Sequence, residues 1–163
     1  MKLKGWEFRK THEPLTLVEK SGEVYVATRK KEAQEKAKEL GAFKVSENIK
    51  DFKDENLEVI VDFAGAGVTT ADALSAIAPG GTVVVVGMGK LESTINTGDL
   101  IMKAATIRGS VGGTREDIEE VIKLISEDRF HIETEKVSFE EVPEGLERLH
   151  EGKVTKRLVM VND

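Results

Sequence analysis

Gly65-Ala66-Gly67-Val68-Thr69-Thr70 has the spacing G-x-G-x-x-T. Between a strand and a helix, such a stretch can turn backbone N–H groups toward an anion at the helix start. The same glycines also suit a tight strand-to-helix turn. A phosphate loop of this type is followed by a strand ending in an acid for ribose hydroxyls, or in a base for a 2′-phosphate. The next strand ends Val86-Gly87-Met88-Gly89 and has neither, so the tight turn is the favoured reading. The basic group stands elsewhere, in Thr28-Arg29-Lys30-Lys31 at the end of an earlier strand. Arg29 and Lys30 there suit the 2′-phosphate of NADP, and an acid would suit NAD. The competing reading is a solvated basic helix start. Cations at a helix N-terminus oppose its dipole, which leans toward a ligand. Ser110-Val111-Gly112-Gly113-Thr114-Arg115 is a further glycine-rich strand end, able to approach a ligand through its backbone or simply to turn into a helix.

Other chemistry is poorly supplied. The chain has no cysteine, which removes disulfides, zinc thiolates and cysteine nucleophiles. His12, His131 and His150 are scattered, without a carboxylate at metal-ligand spacing. Asp62, at a buried strand end, reads as hydrogen-bonded within its turn and not as a catalytic acid. No catalytic residue and no metal ligand is assigned. The net charge of −6 argues against a nucleic-acid partner, which would need a concentrated positive face. No stretch has signal-peptide character or membrane-spanning length, so the expected location is the cytoplasm, with no membrane partner.

The elements that must position these residues alternate in type. Residues 3–8 and 15–18 read as short strands around a turn at residues 11–14, with a second turn at residues 20–22. Residues 24–28 are β-branched or aromatic at most positions, as in a strand. Residues 31–40 follow a helical period, with Ala33, Ala37 and Leu40 on one face and Gly41 as the C-cap glycine. Residues 43–45 read as a strand, and residues 49–55 as polar and irregular with at most one helical turn. Residues 57–63 form a nearly continuous apolar run, the pattern of a strand buried on both faces. Thr69 and Thr70 can cap a helix reaching Ala78, stopped by Pro79-Gly80-Gly81. Residues 82–86 contain four consecutive valines. Residues 99–104 read as a short strand or a helical turn, and residues 106–111 as a strand. Thr114 and Asp117 match a capping box, and the helix beyond it is expected to bury Ile118, Val121, Ile122 and Ile125. A strand at residues 137–139, a helix over residues 143–150 and a strand at residues 157–161 complete the chain. Strands alternating with helices imply a parallel α/β sheet covered on both faces.

These strand ends, taken in order, resemble the C-terminal part of a medium-chain, zinc-type alcohol dehydrogenase. The similar stretches are Val24-Tyr25-Val26-Ala27-Thr28-Arg29, Ala37-Lys38-Glu39-Leu40-Gly41-Ala42, Val61-Asp62-Phe63-Ala64-Gly65, the Pro79 to Gly87 segment, Ile107-Arg108-Gly109-Ser110, Thr114-Arg115-Glu116-Asp117 and Arg157-Leu158-Val159. Residues 1–20 resemble the family's N-terminal hairpin. The resemblance implies an α/β fold, an incomplete Rossmann-like one. Its mostly parallel sheet has helices on both faces and a small N-terminal β-hairpin.

It also implies a cofactor cleft. Thr28, Arg29 and Lys30 would flank the adenosine ribose, and Phe63, Ala64 and Gly65 the adenine. Val86, Gly87 and Met88 would approach the nicotinamide ribose, and Ser110 and Val111 the nicotinamide end. Arg157 resembles the family's pyrophosphate-contacting arginine, although Asp128 and Lys156 stand where the family pattern has glycine. The region from Asp99 to Ala104, residues 99–104, would pair as a strand across a two-fold axis in a homodimer.

The family's interval between the two matching pieces is missing. It holds most of the catalytic domain with its zinc ligands, and the first Rossmann strand with its glycine fingerprint. The expected organisation is a hairpin remnant at residues 1–22, a partial dinucleotide-binding domain at residues 23–135, and a returning helix and strand at residues 136–163. A vacated central strand leaves two unpaired strand edges. Either the strand near Val24 pairs directly with the one near Leu57, or an N-terminal strand moves in. The second is favoured, with residues 15–18 lying antiparallel to residues 24–27 through the short turn. The functional expectation is a truncated or rearranged NADP-type module, with weak or lost dinucleotide binding, no zinc and no dehydrogenase activity alone. The alternative is a structural or oligomerisation module, or an engineered deletion, without a ligand.

Overall fold

The computed structural model describes the backbone of Trp6 and Glu7, and residues 23–127, 133–154 and 156–162 in full. Six strands form one sheet: β1 (Trp6–Glu7), β2 (Tyr25–Ala27), β3 (Lys44–Ser46), β4 (Leu57–Asp62), β5 (Ile77–Val85) and β6 (Thr106–Gly109). Their spatial order is β3-β2-β1-β4-β5-β6, and every neighbouring pair is parallel. This is the order of a doubly wound dinucleotide fold. A separate two-stranded parallel sheet holds β7 (Thr134–Val137) and β8 (Arg157–Met160).

The central position is filled. Trp6 pairs with Val26 on one side and Val61 on the other, and Glu7 with Ala27 and Asp62. An N-terminal strand has therefore moved in, and direct pairing of β2 with β4 does not occur. The expected antiparallel pairing of residues 15–18 with residues 24–27 needs correction. Both edges of β2 are taken, by β1 and β3, so no edge remains for a third partner. Residues 15–18, and the turns at 11–14 and 20–22, lie outside the described residues.

Helix α1 (Lys31–Glu39) joins β2 to β3, and Gly41 follows it at φ 88°, the left-handed value that a helix C-cap favours. A 3₁₀ turn (Ile49–Phe52) is capped by the Asn48 side chain. Helix α2 (Val68–Ala76) links β4 to β5. It ends earlier than Ala78 because β5 already begins at Ile77. The strand runs through Pro79-Gly80-Gly81 by an irregularity opposite Leu57 and Val59, with Gly80 at φ 75°.

Residues 99–104 are not a strand. Asn96 accepts from the Gly98 and Asp99 N–H groups and starts helix α3 (Thr97–Met102), which closes at Ala104 in a left-handed conformation, φ 49°. Lys103 fixes this helix to its neighbour by donating to the carbonyls of Leu74 and Ser75 at the end of α2. Helix α4 (Arg115–Ser126) begins with the expected reciprocal capping box of Thr114 and Asp117. Helix α5 (Val142–His150) connects β7 to β8.

Among the described residues the core forms two clusters of unequal size. The main core joins Tyr25, Ala27, Phe52, Leu57, Ile60, Leu74, Ile77 and Val83, under α2 and the 3₁₀ turn. Among the described residues a second cluster buries Val24, Val26 and Ala37 beside α1. Along β4 the alternation is visible from Val59 onward, with Ile60 and Asp62 buried and Val59 and Val61 half-buried; buried Leu57 and exposed Glu58 fall out of phase across the register shift between Leu57 and Val59. Residues 57–63 are not buried on both faces, as their composition suggested. Nor does α4 bury its apolar stripe. Ile118, Val121, Ile122 and Ile125 are 58%, 44%, 60% and 43% exposed, and only Leu124 is buried. The periodicity is that of an amphipathic helix, but among the described residues its apolar stripe stays largely exposed. Among the described residues no helix is long and apolar enough to cross a membrane.

Candidate functional site: the carboxyl edge of the sheet

Because all six strands are parallel, their carboxyl ends share one edge, where ligands of this fold class bind. Thr28, Arg29 and Lys30 leave β2 there. Thr28 is buried and held from two sides. Its N–H donates to Ser46 O at 2.9 Å, and its carbonyl accepts from Gln34 Nε2 at 2.6 Å. Arg29 and Lys30 are exposed. Lys30 is the N-cap of α1, and no side chain caps that helix start. Gln34 was not singled out in the sequence, although a polar residue on the Ala33–Ala37 face of a helix was a readable signal.

The turn after β4 is organised by Asp62. Its carboxylate, fully buried, accepts from Ala64 N–H (3.0 Å), Gly65 N–H (2.8 Å), Thr69 Oγ1 (2.9 Å) and Thr70 Oγ1 (2.7 Å). Thr69 Oγ1 also receives the Ala66 N–H. The threonines therefore do not cap α2; its N-cap is Gly67, with no side-chain cap bond. The physical consequence reaches the phosphate-loop question. The N–H groups of Ala64, Gly65 and Ala66 are consumed within the turn, so they do not form a cradle for an anion. Asp62 is a turn-organising carboxylate, as its position implied.

Phe63, Ala64 and Gly65 meet Val86, Gly87 and Met88 directly. Val86 N–H and Gly87 N–H both donate to Asp62 O, Gly89 N–H to Ala64 O, and Lys90 N–H to Gly65 O. Ser93 Oγ adds a bond to Gly67 O at 2.7 Å. The two turns approach so closely that a Cβ on Gly65 would stand 1.7 Å from Gly87 O. Gly65 also has φ 52°, so both space and backbone require glycine. Met88 projects into solvent. Ser110 joins the same edge, its N–H bonded to Val85 O at 3.0 Å, and Val111 beyond it is fully exposed. Arg157 does not share this edge. It opens β8 in the separate sheet, exposed, with its N–H bonded to Glu133 O. His12, His131 and Asp128 lie outside the described residues.

The strand order defines a doubly wound, Rossmann-like α/β protein. The chain belongs to the zinc-binding dehydrogenase family, whose model matches residues 19–127. Among curated proteins, alcohol dehydrogenase 2 of Caenorhabditis elegans is 39% identical over 103 residues, covering 62% of this chain and 29% of that protein. An alcohol dehydrogenase of Geobacillus stearothermophilus is 29% identical over 134 residues, covering 76% of this chain and 39% of that protein. The chain thus spans less than half the length of these relatives. Acetophenone reductase from Geotrichum candidum, solved in complex with NAD, superimposes with a TM-score of 0.86 at 25% identity, over 98% of this chain and 48% of that one. The alcohol dehydrogenase of the archaeon Aeropyrum pernix shares the fold, with a TM-score of 0.84 at 22% identity.

The family's name implies zinc. The donors present do not fit such a centre. The sequence has no cysteine, and among the described residues no three His, Asp or Glu side chains group as ligands.

Proposed function

We propose that this chain is a dinucleotide-binding module of the zinc-binding dehydrogenase family, shortened or rearranged, that prefers NADP over NAD. The observation carrying this reading is the β3-β2-β1-β4-β5-β6 order, which sets the switch point between β1 and β4 beside the glycine-lined turns. Thr28, Arg29 and Lys30 would receive the adenosine ribose and its 2′-phosphate. Phe63, Ala64 and Gly65 would face the adenine, Val86, Gly87 and Met88 the nicotinamide ribose, and Ser110 and Val111 the nicotinamide. Arg157 would reach the pyrophosphate only if the second sheet docks on this edge.

Binding is weak in this reading. β1 is present, but the sequence that follows it, Phe8-Arg9-Lys10-Thr11, has no glycine. Gly22 is the only glycine between β1 and β2. The backbone cradle for pyrophosphate is therefore missing from the position where the fold class carries it. With no cysteine in the sequence and no group of three His, Asp or Glu ligands among the described residues, this reading has no Lewis acid to polarise a carbonyl and no dehydrogenase activity for the module alone. Titration calorimetry with NADPH and NADH tests the reading. NADPH binding in the high micromolar range or weaker, tighter than NADH, is expected; equal or undetectable binding of both refutes it.

A second reading, an oligomerisation module, is favoured by the exposed stripe Ile118, Val121, Ile122 and Ile125 on α4 and by exposed Ile101 and Met102 on α3. A homodimer through residues 99–104, largely helix α3, is compatible with both readings. Sedimentation of the full chain, with and without NADPH, separates them: an oligomer indifferent to nucleotide favours the second. Cytoplasmic residence accompanies either.

A further inference from the structure

The exit of β2 carries three successive cations, Arg29, Lys30 and Lys31, and the protein itself already engages one of them. Lys31 Nζ lies 2.7 Å from Glu47 Oε1. Glu47 is the residue immediately after β3. Ala27 and Ser46 are register partners in parallel strands, and Thr28 N–H donates to Ser46 O, so the exits of β2 and β3 are held side by side. Among the described residues Arg29 and Lys30 make no ion pair. A carboxylate is thus seated on one member of the basic cluster, brought in from a different strand.

We propose that Glu47 is a coenzyme-specificity residue: an internal carboxylate that holds Lys31 and lowers the preference for a 2′-phosphate over a free 2′-hydroxyl. The inference rests on the dinucleotide reading above and deepens it. Its physics has two parts. With Glu47 on Lys31, only Arg29 and Lys30 are left to neutralise a phosphate dianion. The carboxylate also adds a like charge beside the same basic cluster, at a surface where screening is incomplete. The Lys31 and Glu47 side chains are 75% and 60% exposed, so the pair itself is weak and exchangeable. A 2′-phosphate competes with Glu47 for Lys31, whereas NADH, lacking that group, does not.

The test is calorimetry of the full chain with NADPH and NADH, for the wild type, Glu47→Gln, and the double variant Glu47→Gln with Lys31→Ala. Glu47→Gln is expected to tighten NADPH about fivefold, with NADH changed by less than about twofold. The double variant should lose the gain, because it removes the Lys31 cation together with the carboxylate and so restores the wild-type net charge of the cluster. Raising the salt concentration should shrink it. Both side chains are solvent-exposed, so all variants should unfold at the wild-type denaturant midpoint, which verifies that the comparison is between folded proteins. If the wild type prefers NADPH but Glu47→Gln leaves the NADPH-to-NADH ratio unchanged, or the double variant keeps the gain, the role of Glu47 is overturned and the dinucleotide reading stands. If neither coenzyme binds any of the three proteins, both are overturned.

Discussion

Replacing Asp62 by alanine removes one acceptor and strands four donors at once. Two of them, Gly65 N–H and Thr70 Oγ1, are in buried surroundings, at 2.8 and 2.7 Å from the carboxylate. The other two, Ala64 N–H and Thr69 Oγ1, are partly buried, and water can replace the lost partner. A buried donor left without an acceptor costs about 1–3 kcal/mol. Two such donors, with a smaller contribution from the other pair, give a loss of about 4 kcal/mol. That is a large fraction of a typical total stability of roughly 5–15 kcal/mol, and for a chain of this size it lowers Tm by about 12 °C. Asp62→Asn is the informative companion. Its Oδ1 still accepts from the two backbone N–H groups, and its amide can donate to the threonine hydroxyls after they rotate. It should cost only about 1–2 kcal/mol. Urea unfolding followed by far-ultraviolet circular dichroism gives both values. An alanine variant within about 0.5 kcal/mol of wild type, or an asparagine variant as damaging as alanine, would refute the account of this turn.

Four further outcomes are expected. Gly65→Ala meets Gly87 O at 1.7 Å and a φ of 52°, so it should yield little folded protein; Gly80→Ala, with open space but φ 75°, should cost only about 1 kcal/mol, and comparable yields of the two would contradict the close approach of the turns. Lys103→Met removes the two bonds to the end of α2 and should lower stability by about 1 kcal/mol, read by thermal unfolding. Burial, followed by the hydrogen bond and charge of Glu55, pushes the Tyr25 phenol up to about 12. Its stabilising contribution is complete below the unfolded value near 10 and is lost as pH rises through about 12. Tyr25 is the only tyrosine, so tyrosinate absorbance reads it directly, and ionisation near 10 in the native protein would disprove the burial. Asp117 is held below the usual carboxylate range by the Thr114 N–H and then the Thr114 hydroxyl. The capping box is therefore intact above the unfolded carboxylate pKa and weakens as pH falls through the lower folded one. Amide exchange in the first turn of α4 should accelerate there, and no more so in Thr114→Val than at neutral pH.

Local features were readable wherever a single residue or a short spacing controls the backbone. Gly41 ended α1, and Thr114 with Asp117 opened α4. Asp62 was placed in its turn because a buried acid at a strand end needs nearby donors. The helical period of residues 115–126 was correct, yet it carries only the shape of the helix. Whether Ile118 and Ile122 meet a partner depends on what covers the sheet, and that is a property of distant segments. Residues 99–104 suit either a strand or a helical turn by sequence, and the Asn96 cap decides for the helix over the strand that dimer pairing requires. The site was legible as a set of strand ends. The contacts that Lys31, Gln34, Glu47 and Ser93 make around it were not, because each depends on a partner across an element boundary.

The sequence by itself determined the alternation of strands and helices, the glycine turns and the absence of zinc-thiolate donors, since these follow from residue type and local period. Only the tertiary structure decided what occupies the centre of the sheet. Trp6–Glu7 is a two-residue strand, too short to carry a period, and it pairs with Val26 and Ala27 on one side and Val61 and Asp62 on the other. Backbone hydrogen bonding is indifferent to side-chain identity. A vacant slot between two strands can therefore be satisfied by any extended segment, so residues 3–8 read as a strand without revealing which neighbours they pair with.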